Sequence, residues 1–137
     1  MIVVDTTVWA DWFNGARTPE VDRLEQALAT EEAGLTPLIL AEVLQGFRAD
    51  ADFERARALL VLLPVLELDR DGQVAAAGLF RRLRRAGVTI RGAIDCLIAQ
   101  TCMLAEAELL TNDRDFIAVA RHAPLQLCAV PRQSRRR

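Results

Sequence analysis

The first seven residues, Met1-Ile2-Val3-Val4-Asp5-Thr6-Thr7, constrain the fold more than any other stretch. An apolar run rich in β-branched residues reads as a strand buried on both faces, and it ends on a carboxylate. Buried strands tolerate charge only at their ends. In open α/β sheets the carboxyl ends of the strands border the crevice where ligands bind. The chain therefore starts with a central-strand signature and an acid delivered to a functional edge.

The rest of the chain alternates helix and strand signals. Thr6 or Thr7 caps a short helix over residues 8–13, which Asn14-Gly15 ends. Thr18-Pro19-Glu20 opens a second helix, with Val21, Leu24 and Leu28 at helical spacing. Gly34-Leu35-Thr36 is a short strand, and Thr36-Pro37 starts a helix that runs to Gln45 and stops at Gly46. A helix is expected over residues 52–63, ending before Pro64; its second half, Leu59-Leu60-Val61-Leu62-Leu63, is apolar all round, which means deep burial or cover by a partner. Residues 65–68 read as a strand, and Asp69 caps a long helix over residues 70–86 closed by Gly87. A loop leads to a helix over residues 93–105, a strand over 107–111, a helix over 113–122 and a last strand over 125–130. No hairpin signal separates the apolar runs. The expectation is an α/β fold, a parallel sheet of about five strands flanked by helices.

At 137 residues, 52% hydrophobic and 26% charged, the chain fits a single globular domain over residues 1–130. Residues 131–137, ending Ser134-Arg135-Arg136-Arg137, read as a flexible basic tail. No apolar run reaches the ~18 residues of a membrane helix and no signal-peptide pattern opens the chain, so a cytoplasmic protein is expected. Cys96, Cys102 and Cys128 are odd in number and lack metal or redox spacing, which predicts reduced, buried thiols. The formal net charge of −2 argues against a protein that coats nucleic acid with a broad basic surface. All 17 basic residues are Arg, so chemistry that needs a lysine ammonium is excluded.

Four acids stand apart from the charged helix faces: Asp5, Glu42, Asp95 and Asp113. Each lies in an apolar setting near a strand end or a helix start, and in a parallel α/β layout those positions share one edge of the sheet. Taken singly, each has a plainer use as a cap, a dipole partner or half of an ion pair. Brought together, four carboxylates repel and raise one another's pKa values, a conflict that a divalent cation resolves. An oxygen-only ligand set favours Mg²⁺ or Mn²⁺ over Zn²⁺, and the usual work of such a site is phosphodiester hydrolysis by metal-activated water.

The motifs Val4-Asp5-Thr6-Thr7-Val8-Trp9, Leu40-Ala41-Glu42-Val43-Leu44-Gln45-Gly46, Ala93-Ile94-Asp95-Cys96-Leu97-Ile98-Ala99 and Leu110-Thr111-Asn112-Asp113-Arg114-Asp115-Phe116 resemble, in order and spacing, the PIN-domain ribonucleases, and among them the toxins of VapBC-type toxin–antitoxin pairs. The resemblance covers essentially residues 1–130. It implies the sheet order 3-2-1-4-5, Mg²⁺ or Mn²⁺ held by the acids, cleavage of RNA, a homodimer, and neutralisation by a small cognate antitoxin that fills an apolar groove and blocks the acidic site. Carried over residue by residue, Asp5 and Asp95 are the principal ligands, Glu42 and Asp113 complete the acidic pocket, and Thr7 supplies a hydroxyl beside the metal. Asp115, two residues after Asp113, competes for the fourth corner; Asp113 is preferred, and Asp115 is expected to cap or brace the next turn.

Other features have two readings. Arg81-Arg82-Leu83-Arg84-Arg85 is a solvated helix end or a contact for the RNA backbone. Trp9, Trp12, Phe13 and Phe47 are core, or with residues 59–63 they line a groove for an amphipathic partner helix. His122 stands alone, without the company a zinc or catalytic role needs. A receiver domain or a haloacid-dehalogenase-type phosphatase requires a Lys that the chain lacks. A PIN nuclease of RNA processing outside any toxin pair, and an inactive PIN-like binding module, are the remaining alternatives.

Overall fold

The computed structural model describes residues 1–131; residues 132–137, which hold most of the expected basic tail, lie outside the described residues. Ile2, Val3 and Val4 form strand β1 (Ile2–Val4), buried along its whole length. It is the middle of a parallel sheet, flanked by β2 (Ala33–Gly34) and β3 (Glu108–Leu110) in the order β2-β1-β3. Ile2 and Val3 pair with Ala33 and Gly34 on one side, and Ile2, Val3 and Val4 with Glu108, Leu109 and Leu110 on the other. Gly34 sits under the first side chain: a Cβ there would stand 2.8 Å from Sδ of Met1, which would have to move aside.

Among the described residues three strands and two isolated bridges stand where five strands were expected. The outer two segments are reduced to single parallel bridges, Leu35 with Val65 and Leu109 with Leu127. The main chain on either side of Val65 bonds to Leu35, with Leu35 N donating to Pro64 O and Leu66 N to Leu35 O. Each outer segment follows a proline, Pro64 or Pro124, which has no N–H to extend a ladder.

The connecting helices are α1 (Thr6–Phe13), α2 (Pro19–Ala29), α3 (Pro37–Gln45), α4 (Asp50–Leu60), α5 (Arg70–Arg85), α6 (Ala93–Leu104) and α7 (Arg114–His122). Caps predicted from local chemistry are in place. The side chains of Thr18, Thr36 and Asp69 accept from the amides of Val21, Ile39 and Gly72 at 3.1, 3.2 and 2.8 Å. At the first helix the expectation shifts by one residue or two: Asp5 occupies the N-cap position, and Thr6 and Thr7 lie within the first turn. Helices α1, α2, α5 and α6 all end in the same paired hydrogen bonds, for example Val88 N to Leu83 O and Gly87 N to Arg84 O. The left-handed residue is Gly15 or Gly87 at two of these ends, but Glu31 (φ 57°) and Glu106 (φ 52°) at the others.

The helices pack in two sets, α1 against α2 and α3 with α3 against α4, and α6 against α5 and α7. A single core joins β1, Leu35, Leu109 and Leu110 with Leu24, Ile39, Leu60, Leu79, Ile98 and Phe116. Trp9 belongs to it, fully buried with Nε1 donating to Val4 O at 3.0 Å. Trp12, Phe13 and Phe47 are half-buried around it, with Phe13 and Phe47 edge-on at 5.2 Å. The apolar run before Pro64 is not one buried helix. Helix α4 stops at Leu60, since the residue before a proline is driven out of the helical region, and Val61 and Leu62 stand 57% and 78% exposed. Among the described residues no helix is long and apolar enough to cross a membrane.

Candidate metal centre

Parallel pairing of β1 with β3 sets the site. Val4 lies level with Leu110, so the next residues, Asp5 and Thr111, leave the sheet side by side, with Asp5 N bonded to Leu110 O at 2.9 Å. The Asp5 carboxylate is 4% exposed and does not cap its helix. Instead Oδ2 accepts hydroxyl hydrogen bonds from Thr7 and Thr111, both 2.9 Å. Thr111 Oγ1 in turn accepts from the amide of Asp113 at 3.0 Å, tying the strand β1 acid to the start of α7. Asn112 donates to Asp11 at 2.9 Å and fastens the same loop to α1.

Glu42 enters from α3, where Thr6 Oγ1 approaches its Oε1 at 3.5 Å. Asp95 enters from the first turn of α6, whose N-cap, Gly92, provides no side-chain cap; the free amides there favour an acid. Asp113 is the N-cap of α7, accepting from the Asp115 amide at 2.9 Å, and Asp115 follows in the first turn. Asp5, Thr7, Glu42, Asp95 and Asp113, the residues expected from sequence, all line one cavity of about 320 Å³ with Thr6, Arg91, Gly92, Ile94 and Ile98.

Two of these acids form a triad with a further one, Asp115: one oxygen each from Asp95, Asp113 and Asp115 lie within 4.8 Å of one another. This changes the expected division between the last two. Asp113 braces the turn, and Asp115 also points inward, its Oδ2 buried without a hydrogen-bond partner. An N-cap and the residue two positions later both belong to the first turn of a helix, so both carboxylates reach the same space. Sequence reasoning also missed Thr111 as the second hydroxyl on Asp5, Thr6 and Arg91. The available signal for Thr111 was a hydroxyl directly after a strand; its partner became visible only with the register.

Burial and mutual repulsion shape the electrostatics. Asp95 is pushed up to about 6, first by burial and then by Asp113, Asp5, Asp115 and Glu42. Burial also raises Asp5, outweighing the hydroxyls of Thr111 and Thr7 and the Thr6 amide, with Asp113 adding to the rise. Glu42 is raised by burial and by Asp5, against the Thr6 hydroxyl. Among the described residues no site carboxylate has an ion-pair partner: the ion pairs join Arg17 to Glu25, Arg55 to Asp52 and Arg57 to Glu54. A converging, unneutralised, all-oxygen donor set with an orphaned buried carboxylate oxygen fits a hard divalent cation.

A larger cavity, about 460 Å³, is lined by Thr36, Glu67, Gln73, Leu97 and Thr101. It offers one carboxylate and no cluster, so size alone does not mark the chemistry. His122 lines a separate cavity with Arg82, away from the acids. The three cysteines are free and buried; burial pushes the Cys96 thiol up to about 11 and Cys102 to about 12, which makes them packing groups rather than nucleophiles.

The solved structures similar to this chain include VapBC2 from Rickettsia felis bound to a DNA fragment from their promoter (TM-score 0.71, 20% identity, 93% of this chain and 97% of that one). VapBC-1 from nontypeable Haemophilus influenzae gives a TM-score of 0.72 at 18% identity, again over 93% of this chain and 97% of that one. At such identities the likeness establishes the fold. Sequence relatives are nearer: the VapC ribonuclease Mb1587 of Mycobacterium bovis and ribonuclease VapC11 of Mycobacterium tuberculosis are each 33% identical over 129 residues, 92% of this chain and 96% of theirs. Residues 2–122 match the PIN domain family, and with those relatives the match shows that the chain belongs to the PIN-domain family, among its VapC-type members.

Proposed function

We propose that the protein is a divalent-metal-dependent endoribonuclease, the toxin of a type II toxin–antitoxin pair. The observation that carries the reading is the convergence of five carboxylates at one sheet edge with no cation paired to any of them among the described residues. The names of the VapC ribonuclease relatives support the activity, and those of the VapBC neighbours support a cognate partner protein.

Asp95, Asp113 and Asp115 would hold Mg²⁺ or Mn²⁺, with Asp5 and Glu42 on the adjoining wall. When bound, the ion supplies Lewis acidity toward the scissile phosphate and acidifies water for hydrolysis. The chain's own groups do the positioning. Thr7 and Thr111 hold the Asp5 carboxylate in one orientation, so it meets substrate or ion without reorganising. Thr6 steadies Glu42, whose carboxylate is the candidate to orient a water or take its proton. The antitoxin in this reading is small, covers the acidic cavity and docks on apolar surface, for which half-buried Trp12, Phe13 and Phe47 and exposed Val61 and Leu62 are candidates. A homodimer and a cytoplasmic place of action complete it, the latter in keeping with three free thiols.

The test is cleavage of single-stranded RNA by the purified chain with Mg²⁺ or Mn²⁺ and its suppression by a chelator. Asp5→Asn and Asp95→Asn are expected to lose at least about a thousandfold of that activity while keeping the wild-type circular dichroism. Metal-independent cleavage, or full activity in either variant, overturns the reading.

A further inference from the structure

We propose that Arg91 is the anchor for the substrate's phosphate backbone, its guanidinium gripping a phosphate while the acids of the same cavity hold the cation. The inference rests on the phosphodiester reading of the acidic cavity and adds to it a residue that binds substrate.

Among the described residues Arg91 is the one basic side chain lining that cavity, which it shares with Asp5, Glu42, Asp95 and Asp113. Despite that company it forms none of the ion pairs found among the described residues. It stands exposed on the loop between α5 and α6, and next to it Gly92 leaves open space, with nothing within 4 Å of where a Cβ would project. Among the described residues its guanidinium has no ion-pair partner, and the cavity it lines leaves room for a ligand.

The electrostatics favour such a group. Five carboxylates outweigh one divalent cation, so a polyanion approaching the loaded site still meets net negative charge. An arginine lining the same cavity reduces that repulsion, and its fork matches two phosphate oxygens at once. Two arginines of the other basic cluster are engaged elsewhere: Arg84 lies over the Phe80 ring at 5.4 Å, and Arg82 lines the separate cavity beside His122.

The experiment is steady-state cleavage of a single-stranded RNA by the full chain in Mg²⁺, at several salt concentrations. Arg91→Gln is expected to raise KM about tenfold with kcat little changed, and to lower the salt-dependence slope by about one. Arg91→Lys recovers part of the loss, because it restores the charge but not the fork. Arg55→Gln, on the surface, changes neither. Mn²⁺ affinity stays equal or tightens in Arg91→Gln, since a neighbouring positive charge is gone. An unchanged KM and slope overturns the proposal, and so does weakened Mn²⁺ binding, which marks a structural role. Binding of labelled RNA with Ca²⁺ in an Asp5→Asn background, with and without Arg91→Gln, separates the two readings. If the wild type binds RNA without cleaving it, the nuclease reading falls alone and this binding arm decides Arg91. If the wild type neither binds nor cleaves, both fall.

Discussion

The two halves of the acidic site are built on opposite principles. Asp5 is almost wholly buried, yet every part of its setting stabilises it in place: a strand on each side, two threonine hydroxyls on one oxygen, and a loop fastened by Asn112. Asp95, Asp113 and Asp115 are less buried but crowd together, and one carboxylate oxygen among them has no partner. The first half is held in one geometry without an ion. The second is in electrostatic deficit, which a proton or a cation relieves. The difference separates the group that is preorganised from the groups that make the ion bind.

Perturbing each half in turn sharpens this contrast. The largest effect is expected from Asp115→Asn, which leaves α7 capped by Asp113 but removes one charge from the triad. Mn²⁺ affinity, followed by titration calorimetry, should fall tenfold or more, and Thr111→Val should change it less. Equal losses in the two variants break the distinction.

Acidity probes the deficit directly. Because Asp95 has a folded pKa near 6 against an ordinary 3.8, the folded state holds its proton more tightly than the unfolded chain does. Stability is therefore greatest below the unfolded pKa and falls as pH rises through about 4 to 6. Asp5 and Glu42, both raised, push the same way. In metal-free buffer the melting temperature should decline over that window, with a shallower decline in Asp95→Asn; saturating Mg²⁺ should restore stability on the alkaline side. A metal-free protein that gains stability across that range contradicts the picture.

The scaffold around Asp5 predicts a more modest change. Thr111→Val removes one of two hydroxyl donors to a buried carboxylate and should lower stability by about 1 to 2 kcal/mol at neutral pH, with Thr111→Ser close to wild type. Smallest is Glu106→Gly. It relieves a left-handed residue just before β3 and should raise stability by at most about 1 kcal/mol, read as a small shift in chemical denaturation midpoint, with Mn²⁺ affinity untouched.

What could be read from sequence follows how local its cause is. The caps at Thr18, Thr36 and Asp69 and the helix ends at Gly15 and Gly87 depend on a few neighbouring residues, so composition and spacing revealed them. Glu31 and Glu106 take the same left-handed corner as those glycines without any local sign, each within the paired hydrogen bonds that close its helix just ahead of a strand. The run at 59–63 reads as a continuous apolar helix, whereas Pro64 and the turn toward Leu35 break it and leave Val61 and Leu62 outside.

By itself the sequence determined that an apolar strand delivers Asp5 to an edge and that further acids reach the same edge, and its motifs resemble the PIN family. The first two are consequences of strand and helix periodicity, which act over a few residues; the resemblance rests on the order and spacing of four motifs. Only the tertiary structure decided that Thr111 stands beside Asp5 and that Asp115 joins Asp95 and Asp113. It also set Arg91 on the wall of the acidic cavity. Each depends on register between strands or on the angle at which a helix enters, and those are settled by the packing of the whole core.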